Sequence, residues 1–349
     1  MPFEEFATYR EIKSQPEAWM QALNETRASS LPNALDYDQV IFTGCGSTYY
    51  LSLAAATLYQ ELTGRAARAV PGGELLLNPQ TVIGQIGRDS IPEGGNLSYL
   101  LVAISRSGTT TETVKAVEKY KADKLGDVVV ISNYDEALSR LADINIVIRK
   151  GQEESVAQTR SFASMYVAAT GFAARMAGRN DLMDCMSSLP ETGERLIRDF
   201  EPAARQTGEN LDFDRFYFLG SGIRYGLACE VNLKMKEMTL THSEPFHFLE
   251  FRHGPMSMVN EKAVVVGLVS ESNLSHETAV LNEMQALGGK IVALAESNAD
   301  ITFKSGIPES VHGVLYLPVL QLMAFYRSLS KGLNPDRPNN LTAVIKLDL

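Results

Sequence analysis

The chain has 349 residues, 45% of them hydrophobic, and exceeds the length that one hydrophobic core usually supports, so two globular domains are expected. Asp plus Glu number 42 against 32 for Lys plus Arg, and the net charge of −10 disfavours non-specific partnership with nucleic acid or an anionic membrane. Met1-Pro2-Phe3-Glu4-Glu5 lacks the basic and apolar regions of a leader, and no apolar run approaches the roughly 20 residues of a membrane span, so the expected address is the cytoplasm. Cys45, Cys185 and Cys229 are too few and too scattered for a disulfide framework or a zinc site. They read as reduced thiols, and no metal or cofactor is expected.

In chain order, residues 1–35 predict an amphipathic helical arm around Phe6, Ile12, Trp19, Met20 and Leu23, closed by Pro32. Asp38–Thr43 reads as a strand, and Gly44-Cys45-Gly46-Ser47-Thr48 turns it into a helix from Tyr49 to about Leu62. Gly-x-Gly at a strand end invites a dinucleotide reading, but tyrosine replaces the third glycine and the hydroxyls of Ser47 and Thr48 have no part in that motif. After a short strand near Ala67–Val70 comes the continuous apolar run Leu100–Ile104, expected of a parallel strand covered on both faces. It ends in Ser105-Arg106-Ser107-Gly108-Thr109-Thr110, where a helical pattern begins at Thr111. The free N–H groups and dipole of a helix start make an anion site there, which the hydroxyls and Arg106 would complete around a phosphate. An ordinary Ser or Thr cap would account for one or two of these hydroxyls, not four. Strands near Val128–Ile131 and Ile144–Ile148 complete an alternating series, which implies a doubly wound parallel sheet.

A long helix from about Ala157 to Ala177 and helical segments up to Gly208 lead into a second series. Arg215–Leu219 is a strand, Gly220-Ser221-Gly222 opens a helix from Ile223 to about Leu240, and strands follow at Ala263–Val269 and Lys290–Leu294. Both halves thus run strand, Gly-x-Gly, helix, then a strand ending in Ser-x-Ser, which implies an internal duplication. In the second copy Glu271 replaces Arg106 and no Gly-Thr-Thr follows, so one phosphate site per chain is expected, in the first half.

On these motifs, and on Glu154-Ser155-Val156-Ala157-Gln158-Thr159-Arg160, the chain from about residue 36 resembles the sugar isomerase (SIS) family. More closely it is similar to the double-SIS isomerase half of the glutamine:fructose-6-phosphate amidotransferases. The resemblance implies two tandem α/β SIS domains, each a doubly wound parallel sheet between helical layers, at 36–185 and at 186–349 with a C-terminal tail. It assigns Ser47, Thr48, Ser105, Arg106, Ser107, Thr110, Val156 and Gln158 to a sugar 6-phosphate. Arg106 replaces a glutamine of the amidotransferase pattern, and the Ser-Arg-Ser-Gly variant is more similar to catabolic amino-sugar phosphate isomerase/deaminase relatives.

The catalytic part of the resemblance lies in Glu230–Glu237 and Arg252-His253-Gly254-Pro255. On a helix Glu230, Lys234 and Glu237 share one face, a spacing that a solvated, ion-paired face would also produce. By resemblance Glu237 is the proton-shuttling base, Lys234 its cationic neighbour, Glu230 a substrate contact, and His253 a ring-opening residue that reaches the site of a partner subunit. A homodimer with shared sites is thereby implied. No glutaminase segment precedes residue 36, so glutamine-independent chemistry is expected. In the tail Asn340–Lys346, Ala343 stands where the family carries a Schiff-base lysine, and Lys346 lies three positions on. An alanine forms no imine with a ketose, so isomerisation through an enediol, or loss of an amine already on the substrate, is expected instead. The expected function is a phosphosugar isomerase/deaminase acting on an amino-sugar 6-phosphate. A plain aldose-ketose phosphate isomerase, a fructosamine-6-phosphate deglycase and a non-catalytic sugar-phosphate sensor are the alternatives.

Overall fold

The computed structural model describes residues 2–83, 98–345 and 347. Helix α1 (Ala7–Ala28) opens the chain, buries Ile12, Trp19 and Leu23 and leaves Met20 exposed. Its start is capped by a distant side chain: the Asp336 carboxylate accepts the N–H groups of Ala7 at 2.9 Å and Thr8 at 2.8 Å, and the Thr8 hydroxyl at 2.7 Å.

The chain divides into two compact units. One comprises Gln21–Gln152, Ser164–Met183 and Val344–Leu349. Its strands are β1 (Gln39–Gly44), β2 (Ala67–Pro71), β3 (Tyr99–Ser105), β4 (Gly126–Ser132) and β5 (Ile144–Val147), all parallel, in the order β2-β1-β3-β4-β5. Helices α2 (Ser47–Thr63) and α3 (Thr111–Ala122) follow β1 and β3, and α4 (Arg160–Met176) continues the chain beyond β5. Every residue of β3 is buried, as a central strand covered on both faces requires. Burying side chains such as Leu100, Leu101, Val102 and Ile104 stabilises the fold by about 1.5–3 kcal/mol each.

The other unit comprises Met1–Met20, Glu153–Ala163 and Asp184–Ala343. It contains α5 (Leu189–Glu209), α6 (Ile223–Thr239), α7 (Leu274–Ala286) and α8 (Leu317–Ser330). Its strands are β6 (Arg215–Leu219), β7 (His242–Phe246), β8 (Ala263–Leu268), β9 (Lys290–Ala295) and β10 (Ile301–Thr302), again all parallel, in the order β7-β6-β8-β9-β10. Matched strand for strand, the two sheets have the same order, so the repeated sequence theme is a repeated topology.

The duplication extends to backbone detail. Gly46 and Gly222, the second glycines of the two Gly-x-Gly turns, both have φ of 58°, with ψ of −125° and −129°, a conformation that L side chains rarely adopt. The first glycines allow the helix start to close on the strand end: a Cβ on Gly44 would lie 2.5 Å from Thr48 Oγ1, and one on Gly220 would lie 2.4 Å from the Arg224 carbonyl oxygen. Among the described residues no helix is long and apolar enough to cross a membrane.

Candidate active site

In a doubly wound sheet the crevice for ligands opens at the carboxyl ends of the strands where the order reverses. In the first sheet that point lies between β1 and β3, which pair with Thr43 opposite Ala103. The two turns singled out in the sequence, Gly44–Thr48 and Ser105–Thr110, leave these two strands.

Within the second turn Ser105 Oγ accepts the Gly108 N–H at 3.2 Å, and Ser107 Oγ accepts the Thr109 N–H and hydroxyl, each at 3.2 Å. The Thr110 hydroxyl lies 3.5 Å from Ser105 Oγ. Thr110 occupies the cap position of α3, yet its side chain makes no capping hydrogen bond. The ordinary cap is therefore not what this turn builds, and the first N–H groups of α3 keep the partial positive charge that draws an anion. Arg106 is buried here despite its charge.

The hydroxyls of the first turn are arranged differently. Thr48 Oγ1 accepts the Cys45 N–H at 2.9 Å and donates to the Cys45 carbonyl at 2.9 Å, so this side chain builds the turn itself. Ser47 opens α2 and is buried. The tail returns to this unit, where the Leu347 N–H donates to Thr111 Oγ1 at 3.1 Å, one residue beyond Thr110. Ala343 is exposed, and Lys346 lies outside the described residues.

The other unit holds the Glu-Lys-Glu face on α6. The face is not solvated: Glu230 is 0% exposed and Lys234 1%, and α6 is buried on nearly every side. Lys234 Nζ lies 2.5 Å from Glu237 Oε2 and 3.3 Å from Glu230 Oε1. Burial works against the ammonium charge, but the Glu230 and Glu237 carboxylates outweigh it and hold the Lys234 pKa above the ordinary lysine value. A lysine in this setting stays protonated at neutral pH. Glu237 is the member of the trio with part of its side chain accessible, at 20%.

Val156 and Gln158 lie on a segment held by carboxylates from two places in the sequence. Glu153 accepts the Thr159 N–H at 2.7 Å, the Thr159 hydroxyl at 2.9 Å and the Ser161 N–H at 3.0 Å, and also the Ser161 hydroxyl. Glu11, on α1, accepts the N–H groups of Glu154 at 2.6 Å and Ser155 at 3.3 Å, together with the Ser155 hydroxyl. The Val156 N–H donates to the Asp336 carbonyl at 2.9 Å. Gln158 Oε1 is buried and has no hydrogen-bond partner, an acceptor in want of a donor.

His253 is exposed between two short 3-10 turns, Glu250–Arg252 and Pro255–Met258. Leu249 and Met258, near it in the sequence, are exposed at 51% and 53%. Sequence reasoning did not find Glu11, Glu153 or Asp336. Most of their partners are backbone groups, some of them more than 300 residues away, and backbone leaves no motif.

The SIS domain model matches residues 97–175 and 212–326, more than half of the chain. The chain belongs to the SIS domain family. Relatives include the glutamine–fructose-6-phosphate aminotransferases (isomerizing) of Pyrococcus horikoshii, 28% identical, and Methanothermobacter thermautotrophicus, 24% identical. Each alignment takes in 97% of this SIS chain and 57% of the relative, so the chain spans a little over half the length of these proteins. Among solved structures, the glucosamine-6-phosphate deaminase of Thermotoga maritima shares the fold with a TM-score of 0.77 and 24% identity, over 98% of this chain and 100% of that one. The tagatose-6-phosphate ketose/aldose isomerase of Escherichia coli does so with a TM-score of 0.75 and 24% identity, over 95% of both chains. Both share the fold of this chain, in agreement with the fold expected from the sequence.

Proposed function

We propose that this SIS protein is a sugar-phosphate isomerase that acts on an amino-sugar 6-phosphate and releases its nitrogen as ammonia. The observation that carries the reading is the buried ammonium of Lys234 held between Glu230 and Glu237. Moving a proton between C1 and C2 requires a carboxylate that is ionised at rest and a cation to stabilise the enediolate or enaminol oxygen as it develops. Glu237 would take the proton from C2 and return it at C1. The 2-amino aldose then becomes a 2-imino ketose, and water adds to this imine to give the ketose phosphate and ammonia. No enzyme imine is needed, in keeping with Ala343.

In this reading Ser47, Ser105, Arg106, Ser107 and Thr110 take the phosphate, Val156 and Gln158 are the sugar contacts that the family resemblance suggests, and Glu230, which is 0% exposed, serves by holding Lys234. The Thr48 hydroxyl, bonded twice to Cys45, would act by shaping its turn. His253 would open the ring in a second copy of the chain, and the exposed Leu249 and Met258 support burial of its surroundings in a homodimer. The names of the structural neighbours, a deaminase and a ketose/aldose isomerase, are in keeping with either chemistry. A second reading, equally in keeping with Ala343, is aldose-ketose isomerisation of a sugar phosphate that carries no amine. A cytoplasmic address suits both.

The deciding experiment incubates the protein with glucosamine 6-phosphate, fructosamine 6-phosphates and unsubstituted hexose 6-phosphates, and follows ammonia and deuterium uptake at C2 in heavy water. Ammonia from an amino sugar supports the first reading. Deuterium exchange with unsubstituted hexose phosphates alone supports the second, and binding without exchange on any substrate would identify a sensor.

A further inference from the structure

The second sheet reverses its strand order between β6 and β8, which pair with Leu219 opposite Gly267. The turn after β8 repeats a bond of the Ser105 turn: Ser270 Oγ accepts the Asn273 N–H at 3.0 Å. Like that turn, it opens a helix, α7. It already holds an anion, the carboxylate of Glu309, which arrives from the segment between β10 and α8. Glu309 Oε2 accepts the N–H groups of Glu271 at 3.2 Å and Ser272 at 3.0 Å. Glu309 Oε1 accepts the Ser272 hydroxyl at 3.2 Å and Arg224 Nη1 at 2.6 Å. Arg224 belongs to the first turn of α6, just behind Gly220-Ser221-Gly222, and is 6% exposed. Its Nε is buried with no hydrogen-bond partner.

Two backbone N–H groups, a hydroxyl and a guanidinium converging at a strand-to-helix turn form the donor set that a phosphate recruits. A planar carboxylate uses four of these donors and leaves Arg224 Nε idle. A tetrahedral anion has further oxygens to offer it. We propose that this second crevice is an oxyanion-binding site whose resident anion is the Glu309 side chain, and that it accepts inorganic phosphate or a phosphomonoester once that carboxylate is withdrawn. One residue then explains why a duplicated chain would take one phosphate, and it is not Glu271, which contributes a backbone donor.

The groups around the crevice set the charge of the guest. Glu277 accepts the Ser270 N–H at 2.6 Å and its hydroxyl at 2.9 Å, and Glu296 is satisfied by the Ser305 and Gly306 backbone and the Ser305 hydroxyl. Glu271 stands near both Glu296 and Glu309, and His312 lies buried 3.8 Å from Glu296. These carboxylates oppose a dianion, so phosphate monoanion is the favoured guest and mildly acidic buffer the favourable condition.

The test measures the stoichiometry of inorganic phosphate by equilibrium dialysis on Glu309→Ala and on the unaltered chain. The variant is expected to bind one more phosphate per chain, and Arg224→Leu added to it is expected to abolish that increment. Ser107→Ala with Thr110→Ala in the same background should leave the increment in place, so failure of the first phosphate site and failure of this one are distinguishable. A folded Glu309→Ala chain with unaltered stoichiometry overturns the proposal. If Glu309→Ala does not fold in plain buffer, Glu309→Ser is unfolded over a phosphate series. A melting temperature that rises with phosphate more than in the unaltered chain supports the site, and one that follows the unaltered chain overturns it.

Discussion

Lys234 is the most exacting residue in the chain, since it is fully buried and balances a carboxylate that is fully buried as well. Lys234→Met leaves Glu230 without its cation, and an uncompensated buried charge of this kind costs about 3–5 kcal/mol. Urea unfolding is the measurement, and a loss no larger than a surface substitution produces would contradict the pairing. Glu237→Gln keeps the shape of the side chain but accepts no proton. It is expected to leave substrate affinity nearly intact and to lower turnover by roughly 100-fold or more. Deuterium exchange at C2 should vanish with it, and persistence at the original rate would move the base to Glu230. His312 provides a pH dependence. Its Nδ1 lies 3.2 Å from the Ile307 carbonyl oxygen, and burial pushes its pKa below the ordinary 6.5 against the opposing pull of Glu296. The native state holds it neutral, so this contribution to stability is fully present above 6.5 and is lost as the pH falls through the depressed value. Melting temperatures taken between about pH 8 and 5 should fall at the acid end, and His312→Gln should flatten the fall. An equal slope in the variant would assign acid sensitivity elsewhere.

At the scale of elements, two segments are held in shape by their own hydrogen bonds and are the proposed cradles for the substrate. The Ser105–Thr110 turn is internally bonded by its own hydroxyls, so Ser107→Ala with Thr110→Ala should weaken sugar-phosphate affinity while the sheet remains folded. Hydrogen bonds to a charged group contribute about 1.5–3 kcal/mol, which sets the expected loss at tenfold or more per contact. Unchanged affinity by calorimetry would remove the turn from the phosphate site. The second cradle is the Glu153–Thr159 segment, which Glu11 fastens to the helical arm. Glu11→Ala should raise KM for the sugar phosphate with a smaller effect on kcat, because the loop is loosened while the Lys234 trio is untouched. Glu11→Gln retains an acceptor oxygen and should recover part of the loss. An Ala variant with kinetics identical to the unaltered chain would make the arm a packing element alone.

For the whole molecule the prediction concerns assembly. If His253 completes the site of a second copy, a chain carrying His253→Ala and one carrying Glu237→Gln should each be impaired alone. Verified heterodimers of the two would regain activity, since one composite site would carry both intact residues. Heterodimers without recovery would confine each site to one chain. The exposed Leu249 and Met258 give the same surface a second readout, for charged substitution there should shift the chain toward monomer in sedimentation.

The apolar run of β3 and the two Gly-x-Gly turns were legible because they are local. A strand buried on both faces must be apolar throughout, and a positive φ at a helix start favours glycine whatever lies around it. The duplication was legible for the same reason. Edge strands β7 and β10 were not, since His242-Ser243-Glu244-Pro245-Phe246 carries no apolar run and Ile301–Thr302 is too short to form one. Spacing placed Glu230, Lys234 and Glu237 on one face of α6, but spacing is the same for a solvated face and a buried one. What packs around α6 made that face an ion-paired interior, and packing is absent from any window of sequence. The same holds for Asp336 capping α1, Glu11 holding the Val156 segment and Glu309 filling the second crevice. In each case a carboxylate meets donors many residues away, and only the folded chain brings the two together.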